Sequence, residues 1–217
     1  MPENPVGNET DSEEKLSVKS LLGDAADILE TAVLTIFVFL MVFTFLLRPV
    51  TVDGSSMVPT LYDQDQLLIL TPDRSPKNGQ IVIVNDAEAG HFSDEAQTQV
   101  YRTAGLNIVI VKRVIARAGQ TIDIDFASGT VTVDGKVQDE PYIAEPTVRN
   151  DGAFTYPMTV PEGYIFVMGD NRGGSTDSRN PGVALVPQEQ IIGTVFVRYG
   201  RDAERCESWK DRFAYLF

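Results

Sequence analysis

The segment "NIVIVKRVIA", residues 107–116, decides how the chain folds. β-branched residues stand on both sides of Lys112, and such residues favour strands because their stiff side chains pack well on a pleated surface. Successive side chains of a strand face opposite sides, so Lys112 can point outward into water or inward among apolar groups. The pattern therefore predicts a strand and leaves both orientations of the lysine open.

Similar β-branched stretches lie on both sides of this segment, and turn signals separate them. The other predicted strands cover residues 66–70, 80–84, 121–125, 130–135, 164–169 and 191–199. The turn dipeptides Ser128-Gly129 and Asp134-Gly135 indicate a meander over residues 121–138. We therefore predict a mainly β fold, an antiparallel β domain that occupies residues 49–217.

After residue 49, apolar residues recur at helical intervals over a stretch long enough to predict a helix in the last dozen residues. Trp209, Phe213 and Leu216 recur there at intervals of three to four residues. This spacing predicts a short helix that caps the β core, with contact to a membrane interface as the alternative.

A long apolar run precedes the β region. No charged residue occurs from Thr31 to Leu47, and Glu30 and Arg48 bracket the run. With the weakly polar residues before it, the run approaches the ~20 residues that cross ~30 Å of hydrocarbon. Acids outnumber lysines upstream and no small-residue cleavage site follows, which disfavours a cleaved signal peptide. We predict a transmembrane helix over residues 28–48 and a disordered, acidic tail over residues 1–27.

Composition excludes several classes of function. With 18 basic and 31 acidic residues, the formal charge is −13, which disfavours nucleic-acid binding. Cys206 is the only cysteine, so internal disulfides and multi-cysteine metal sites are excluded. His91 is the only histidine and lies in the polar segment 88–97, which we interpret as a surface loop. Ser-His-Asp and Cys-His hydrolases and histidine-based metal sites are thereby excluded, and we expect no metal.

A serine served by a base other than histidine remains possible. The segment "VDGSSMVPTL", residues 52–61, places Ser55 and Ser56 on a turn that a glycine begins. A lysine amine can act as the base if burial among apolar groups lowers its pKa toward neutrality. Lys112 has such surroundings, whereas Lys77 and Lys136 lie next to turn glycines and are expected to be solvated.

A third segment, "MGDNRGGSTDSRNPG", covers residues 168–182 and directly follows the predicted strand 164–169. Polar composition alone is typical of any loop. The order Gly-Asp-Asn-Arg-x-x-Ser-x-Asp-Ser-Arg within it is far more specific than its composition.

These three segments together resemble the type I signal peptidases, membrane-bound Ser-Lys proteases that remove signal peptides from exported proteins. "GSSMVPTL" carries the Ser-Met-x-Pro-Thr-Leu motif, "VKRVIARAGQ" the Lys-Arg motif, and "GDNRGGSTDSR" the third motif. With "GQIVIV", the motifs extend through residues 52–200 in the order of the family. The single predicted span and short insertions are similar to the Gram-positive members.

The resemblance implies catalytic roles residue by residue. The serine followed by methionine, Ser56, is the nucleophile, and Lys112 is the general base. Ser175 matches the serine that hydrogen-bonds the lysine amine and orients it. No cofactor is implied.

The same resemblance assigns supporting roles within the third motif. Asp177 and Arg179 match a pair that braces the site, and Asp170 and Arg172 hold the same loop. The oxyanion site is expected around Gly54, Ser55 and Ser56, but some family members have a serine where this chain has Gly54. The resemblance then implies an oxyanion hole built from the Ser56 backbone N–H, together with either a water molecule or a neighbouring backbone N–H. Losing one oxyanion donor costs about 10²–10³ in rate, so a substitute for the missing serine is expected. A second departure, "ARAGQ" after the lysine, is treated as variation.

The implied substrate is an extended preprotein segment that ends in small residues, of the Ala-x-Ala type. It is expected to add as a strand beside residues 50–53 and 108–111. Val52, Met57, Leu61 and Val111 are the expected walls of its shallow pockets.

The implied location is the plasma membrane of a bacterium, with one span, the tail in the cytoplasm and the catalytic domain outside. The expected partners are preprotein signal peptides and the lipid bilayer. Two alternatives are a soluble self-cleaving Ser-Lys protease, which the apolar run disfavours, and a membrane-anchored binding domain, which needs neither Lys112 nor the third motif.

Overall fold

The computed structural model describes residues 9–71, 75–201, 206 and 209–216, and for residues 9–22, 209 and 210 the backbone alone. The chain divides between Thr44 and Phe45 into two compact units.

The first unit contains the helix α1, Glu9–Phe45, up to Thr44. Its part from Gly23 to Phe45 is long and apolar enough to cross a membrane. The apolar side chains lie exposed around the helix; Phe37, for example, is 57% exposed. A helix with apolar side chains exposed on all sides fits a lipid environment.

Two predicted boundaries of this unit were wrong. Residues 9–27, predicted to be disordered, are helical, because adding residues to an existing helix costs little and this stretch is rich in helix formers. Residues 1–8 of the predicted tail lie outside the described residues. The helix predicted to reach residue 48 ends at Phe45, since Pro49 disfavours helical geometry in the residue before it.

The second unit is built almost entirely of strands. Its strands are β1 Leu47–Thr51, β2 Gln66–Leu70, β3 Ile81–Phe92, β4 Val100–Arg117, β5 Thr121–Asp125, β6 Thr130–Val133, β7 Lys136–Val137, β8 Met158–Thr159, β9 Tyr164–Met168, β10 Val186–Pro187, β11 Ile191–Gly200 and β12 Ala214–Tyr215. The described residues also include the 3₁₀ turns Gln188–Gln190 and Trp209–Arg212.

The strands form two sheets in which every described pairing is antiparallel. The larger sheet has the order β1-β2-β11-β3-β4-β9-β10, with β12 added to β11. The smaller sheet has the order β7-β6-β5-β8 and contains the predicted meander. The predicted mainly antiparallel β fold, preceded by one apolar helix, is confirmed.

Apolar side chains from both sheets form the core. One buried cluster joins β5 and β6 to β9, with Ile122, Val131 and Phe166 among its members. Another lies under β2 and β3 and includes Leu67 and Ile83. β4 crosses between these regions, so its inward side chains are held on several sides.

The prediction of a loop around His91 was wrong. β3 and β4 remain paired from Ile81 opposite Arg113 to Phe92 opposite Val100, apart from a bulge between Asp86 and Glu88. His91 lies in β3 with its ring against that of Tyr101. Polarity suggested a loop, but the outer half of a hairpin can carry polar side chains when it faces water.

The C-terminal helix was also predicted wrongly. Among the described residues of this segment, helical geometry is limited to the short 3₁₀ turn Trp209–Arg212, and β12 pairs with β11. Phe213 and Tyr215 are exposed, whereas Leu216 packs against the cluster under β2 and β3. Exposed and packed side chains therefore alternate in this segment with the period of two residues that is typical of a strand, rather than the 3.6 residues of a helix. The side chain of Trp209 lies outside the described part of the chain.

Candidate active site

A tight turn after β1 presents Ser56. Gly54 has φ +94°, a conformation that side chains other than glycine's adopt rarely. The Gly54 N–H donates to Asp63 Oδ1 at 2.9 Å, and the Val52 N–H donates to the Asp65 carbonyl at 2.9 Å. These bonds fix the turn at both its start and its return toward β2.

Lys112 faces inward from β4 and is 4% exposed. Its Nζ lies 2.9 Å from Ser56 Oγ and 2.9 Å from the Val111 carbonyl oxygen. Across the ladder it stands opposite Val82. The geometry resolves the two orientations that strand alternation left open and brings the amine to the hydroxyl.

Burial lowers the pKa of Lys112 to about 8, although the charges of Asp177, Asp86 and Asp170 act in the opposite direction. A pKa of about 8 leaves a substantial fraction of the amine neutral near pH 8. A neutral amine has a lone pair that can accept the proton of Ser56.

The third motif forms a braced loop after β9. Arg179 donates from Nε to Asp177 Oδ1 at 2.9 Å and from Nη2 to Oδ2 at 2.8 Å, and both side chains are fully buried. Asp177 Oδ2 also accepts the Gly169 N–H at 3.0 Å. Two-point ion pairs of this kind impose both distance and orientation on the loop.

The other two charges of the loop have partners that sequence reasoning missed. Asp170 accepts two hydrogen bonds from Arg113, at 2.7 and 2.5 Å. Arg172 binds both carboxylate oxygens of Glu140, at 3.0 and 2.6 Å. Arg113 directly follows Lys112 in the Lys-Arg motif, but the resemblance implies no role for it, and nothing in the sequence points to Glu140.

Ser175 does not make the predicted hydrogen bond to Lys112. Its Oγ is buried and has no hydrogen-bond partner among the described residues. The hydroxyl packs against Gly169, where an added Cβ would collide with both Ser175 Oγ and the Ser56 carbonyl oxygen. The Val111 carbonyl fixes the amine of Lys112 in its place.

Asn171 holds the serine turn from the loop side and was also missed. Its backbone N–H donates to the Ser56 carbonyl at 3.1 Å, and its Nδ2 donates to the Ser55 carbonyl at 3.2 Å. The Ser56 N–H has no acceptor in the described part of the chain. Among the expected oxyanion residues, Gly54 already donates its N–H to Asp63 and is not available.

A groove of about 650 Å³ opens above Ser56 and Lys112. One wall is residues 50–56, the other is residues 106–112, and Gly174 and Thr176 close one side. β1 is an edge strand, and β4 pairs with β9 only from Arg113 onward. Both walls therefore offer backbone groups to an extended chain.

Two of the four expected pocket residues are misplaced. Val52 and Val111 line the groove. Met57 and Leu61 do not line it, because both are fully buried in the core with Leu67. The turn after Ser56 directs these two side chains into the core cluster.

No group of three or more His, Cys, Asp or Glu side chains suited to a metal ion occurs among the described residues.

Comparisons with known proteins agree with the resemblance that the sequence motifs indicate. The chain matches the family model "Signal peptidase, peptidase S26" over residues 25–200. It is 34% identical over 172 residues to "Signal peptidase I" of Bacillus licheniformis, covering 75% of this chain and 81% of that protein. It is 35% identical over 172 residues to "Signal peptidase I T" of Bacillus subtilis (strain 168), covering 75% and 78%. It is 33% identical over 191 residues to "Signal peptidase I" of Bacillus amyloliquefaciens, covering 83% and 89%.

Proposed function

The chain belongs to the signal peptidase family, peptidase S26, and from that premise we propose how it cleaves its substrate. It is a type I signal peptidase, an enzyme that removes signal peptides from preproteins. In our proposal the reaction uses Ser56 and Lys112 as a Ser-Lys dyad. The observation that carries this proposal is the 2.9 Å separation between Lys112 Nζ and Ser56 Oγ in a site where the lysine is buried.

The first half of the reaction forms an acyl-enzyme. Neutral Lys112 takes the proton of Ser56 Oγ, and the oxygen attacks the scissile carbonyl carbon. The tetrahedral intermediate collapses as the peptide C–N bond breaks, and the Lys112 ammonium returns the proton to the leaving amine. The mature protein leaves, and the signal peptide remains bound to Ser56 as an ester.

The second half restores the enzyme. Lys112, neutral again, takes a proton from a water molecule that attacks the ester carbonyl. The C–O bond to Ser56 breaks, the serine regains its proton, and the signal peptide departs with a free carboxylate. In our proposal the Ser56 N–H donates to the oxyanion in both halves; its lack of an acceptor among the described residues supports this role.

The groove supports binding of an extended substrate. Residues 50–53 and 108–111 offer unpaired strand edges on its two sides, so a substrate can add between them by main-chain hydrogen bonds. We propose that Val52 and Val111 restrict the side chains next to the scissile bond to small ones, as in Ala-x-Ala.

The apolar helix places this chemistry at a membrane in our proposal. The enzyme is a single-pass protein of a bacterial plasma membrane, with residues 1–27 in the cytoplasm and residues 49–217 as the extracytoplasmic protease domain. Holding enzyme and preprotein in one bilayer raises their effective concentration without further contacts.

The test is cleavage of a labelled preprotein with an Ala-x-Ala site by the purified full chain in detergent. We expect one cut after the last small residue, mapped by mass spectrometry of both products. Ser56→Ala and Lys112→Ala should each abolish this cut. Full activity of either variant would contradict the dyad.

A further inference from the structure

Asp86 is a buried carboxylate that the reaction described above does not use. It lies in β3 and is 0% exposed. Its Oδ2 accepts the Leu106 N–H at 3.0 Å, while Oδ1 has no hydrogen-bond partner among the described residues. A buried carboxylate with an unsatisfied oxygen is costly, so its presence needs a physical reason.

The hairpin places Asp86 on the same face as Lys112. In the β3–β4 ladder, Lys112 stands opposite Val82 and Asp86 stands opposite Ile108. Directly opposed residues share a face, as do residues two apart, so both side chains project from one face of the hairpin. The Lys112 amine is held at the Val111 carbonyl at 2.9 Å.

The other carboxylates whose charge acts on Lys112 already have cations of their own. Asp177 is paired with Arg179, and Asp170 is paired with Arg113. No lysine, arginine or histidine lies within ion-pair distance of Asp86 in the described part of the chain. The charge on Asp86 is thus the uncompensated negative charge near the base.

The influence between the two groups is mutual. Burial raises the pKa of Asp86, and the charge of Lys112 acts against that rise. The charge of Asp86 in turn acts to raise the pKa of Lys112. Each group therefore favours the ionised form of the other.

We propose that Asp86 is the counterion of Lys112 and stabilises the ammonium that forms when Lys112 takes the proton of Ser56. This inference rests on the proposed Ser-Lys dyad. Asp86 neither gives nor takes a proton in the reaction, and no bond to it forms or breaks. It is a positioning residue that acts through the charge of Lys112, and its bond to Leu106 holds the strand that lines the groove.

The experiment is the pH dependence of kcat/KM for Asp86→Asn in the full chain, measured with the preprotein substrate in detergent. Asparagine keeps the acceptor for Leu106 and removes the charge. Without the carboxylate the ammonium is less stable, so the pKa of Lys112 falls and the acid limb moves about one unit to lower pH. A weaker base also lowers the plateau kcat about tenfold, with KM unchanged.

Glu88→Gln is the matched control, because it removes one charge two residues further along β3 from a half-exposed side chain. Its acid limb should stay where the parent protein has it. A parallel NMR titration of the Lys112 side chain, assigned by its loss in Lys112→Met, should give the same downward shift for Asp86→Asn without any turnover. If Asp86→Asn does not fold, Asp86→Glu and Asp86→Gln replace it as a pair that differs only in charge.

An unchanged acid limb and an unchanged Lys112 titration in a folded charge-removing variant would overturn the counterion role. A raised KM with no shift of the limb would show a purely structural role and would also overturn it. Activity that survives Lys112→Ala would instead contradict the dyad itself, so the two failures are distinguishable.

Discussion

Buried charge is handled in opposite ways by the third-motif loop and by the inner face of β4. In the loop, Asp177 and Asp170 each meet an arginine through two hydrogen bonds. On β4, Lys112 is equally buried but is bonded to a neutral hydroxyl and a carbonyl. Paired charges keep their ionisation and fix geometry, whereas a buried cation without a close partner is poised to lose its proton.

The largest expected effect comes from removing the proposed base, Lys112. Lys112→Met keeps an unbranched side chain of similar volume but has no lone pair to accept the Ser56 proton. We expect kcat to fall about 10⁴-fold or more, because serine and base act as one unit. Quantitative cleavage assays at pH 8 check this, and Ser56→Ala should lose activity to a similar extent. A loss under tenfold would show that another group serves as the base.

Breaking a paired charge should cost stability instead. Arg179→Met leaves the fully buried Asp177 without its cation, which typically costs about 3–5 kcal/mol. Thermal unfolding in detergent, followed by circular dichroism, should show a clear drop in Tm. An unchanged Tm would mean that the loop does not depend on this pair.

The buried lysine Lys112 should itself destabilise the fold at neutral pH. Its pKa is about 8 in the folded chain and 10.5 when exposed, so between these values the unfolded state binds more protons. Stability therefore rises with pH through that window, and below pH 8 the cost reaches roughly 3 kcal/mol. Lys112→Met should unfold at higher temperature than the parent chain at pH 7, with the difference shrinking toward pH 10. Equal unfolding temperatures at pH 7 would contradict the lowered pKa.

Exposed pairs should matter least. Arg102 bonds Glu88 and Glu189 at 2.9 and 2.7 Å, but all three side chains are about half exposed to water. Arg102→Gln should change the free energy of unfolding by less than about 1 kcal/mol, because solvent screens such pairs. A larger loss would contradict the expectation that exposed ion pairs contribute less to stability than buried ones.

Local sequence patterns predicted much of the architecture. Strand alternation located the central strands, and turn dipeptides located the β5–β6 meander. The outer half of the β3–β4 hairpin was missed because cross-strand pairing with a distant segment, rather than local composition, keeps it extended. The same cause hid β12, which needs β11 as a partner.

The parts of the site that could be predicted are those whose residues follow one another in a specific sequence motif. The motifs pointed to Ser56 and Lys112, and the fold brings their side chains together. Some partners come from distant segments, such as Glu140 for Arg172 or Leu106 for Asp86. Such pairings cannot be inferred from local sequence patterns. The hydrogen bond expected from Ser175 also depends on rotamers that spacing does not determine.

The most direct test of the proposed dyad is the pH dependence of kcat/KM for the parent chain between pH 6 and pH 10. Neutral Lys112 is the active form, so activity should fall toward acid with a midpoint of about 8. A midpoint near 10.5, the value of an exposed lysine, or a profile without an acid limb would contradict a buried lysine as the base.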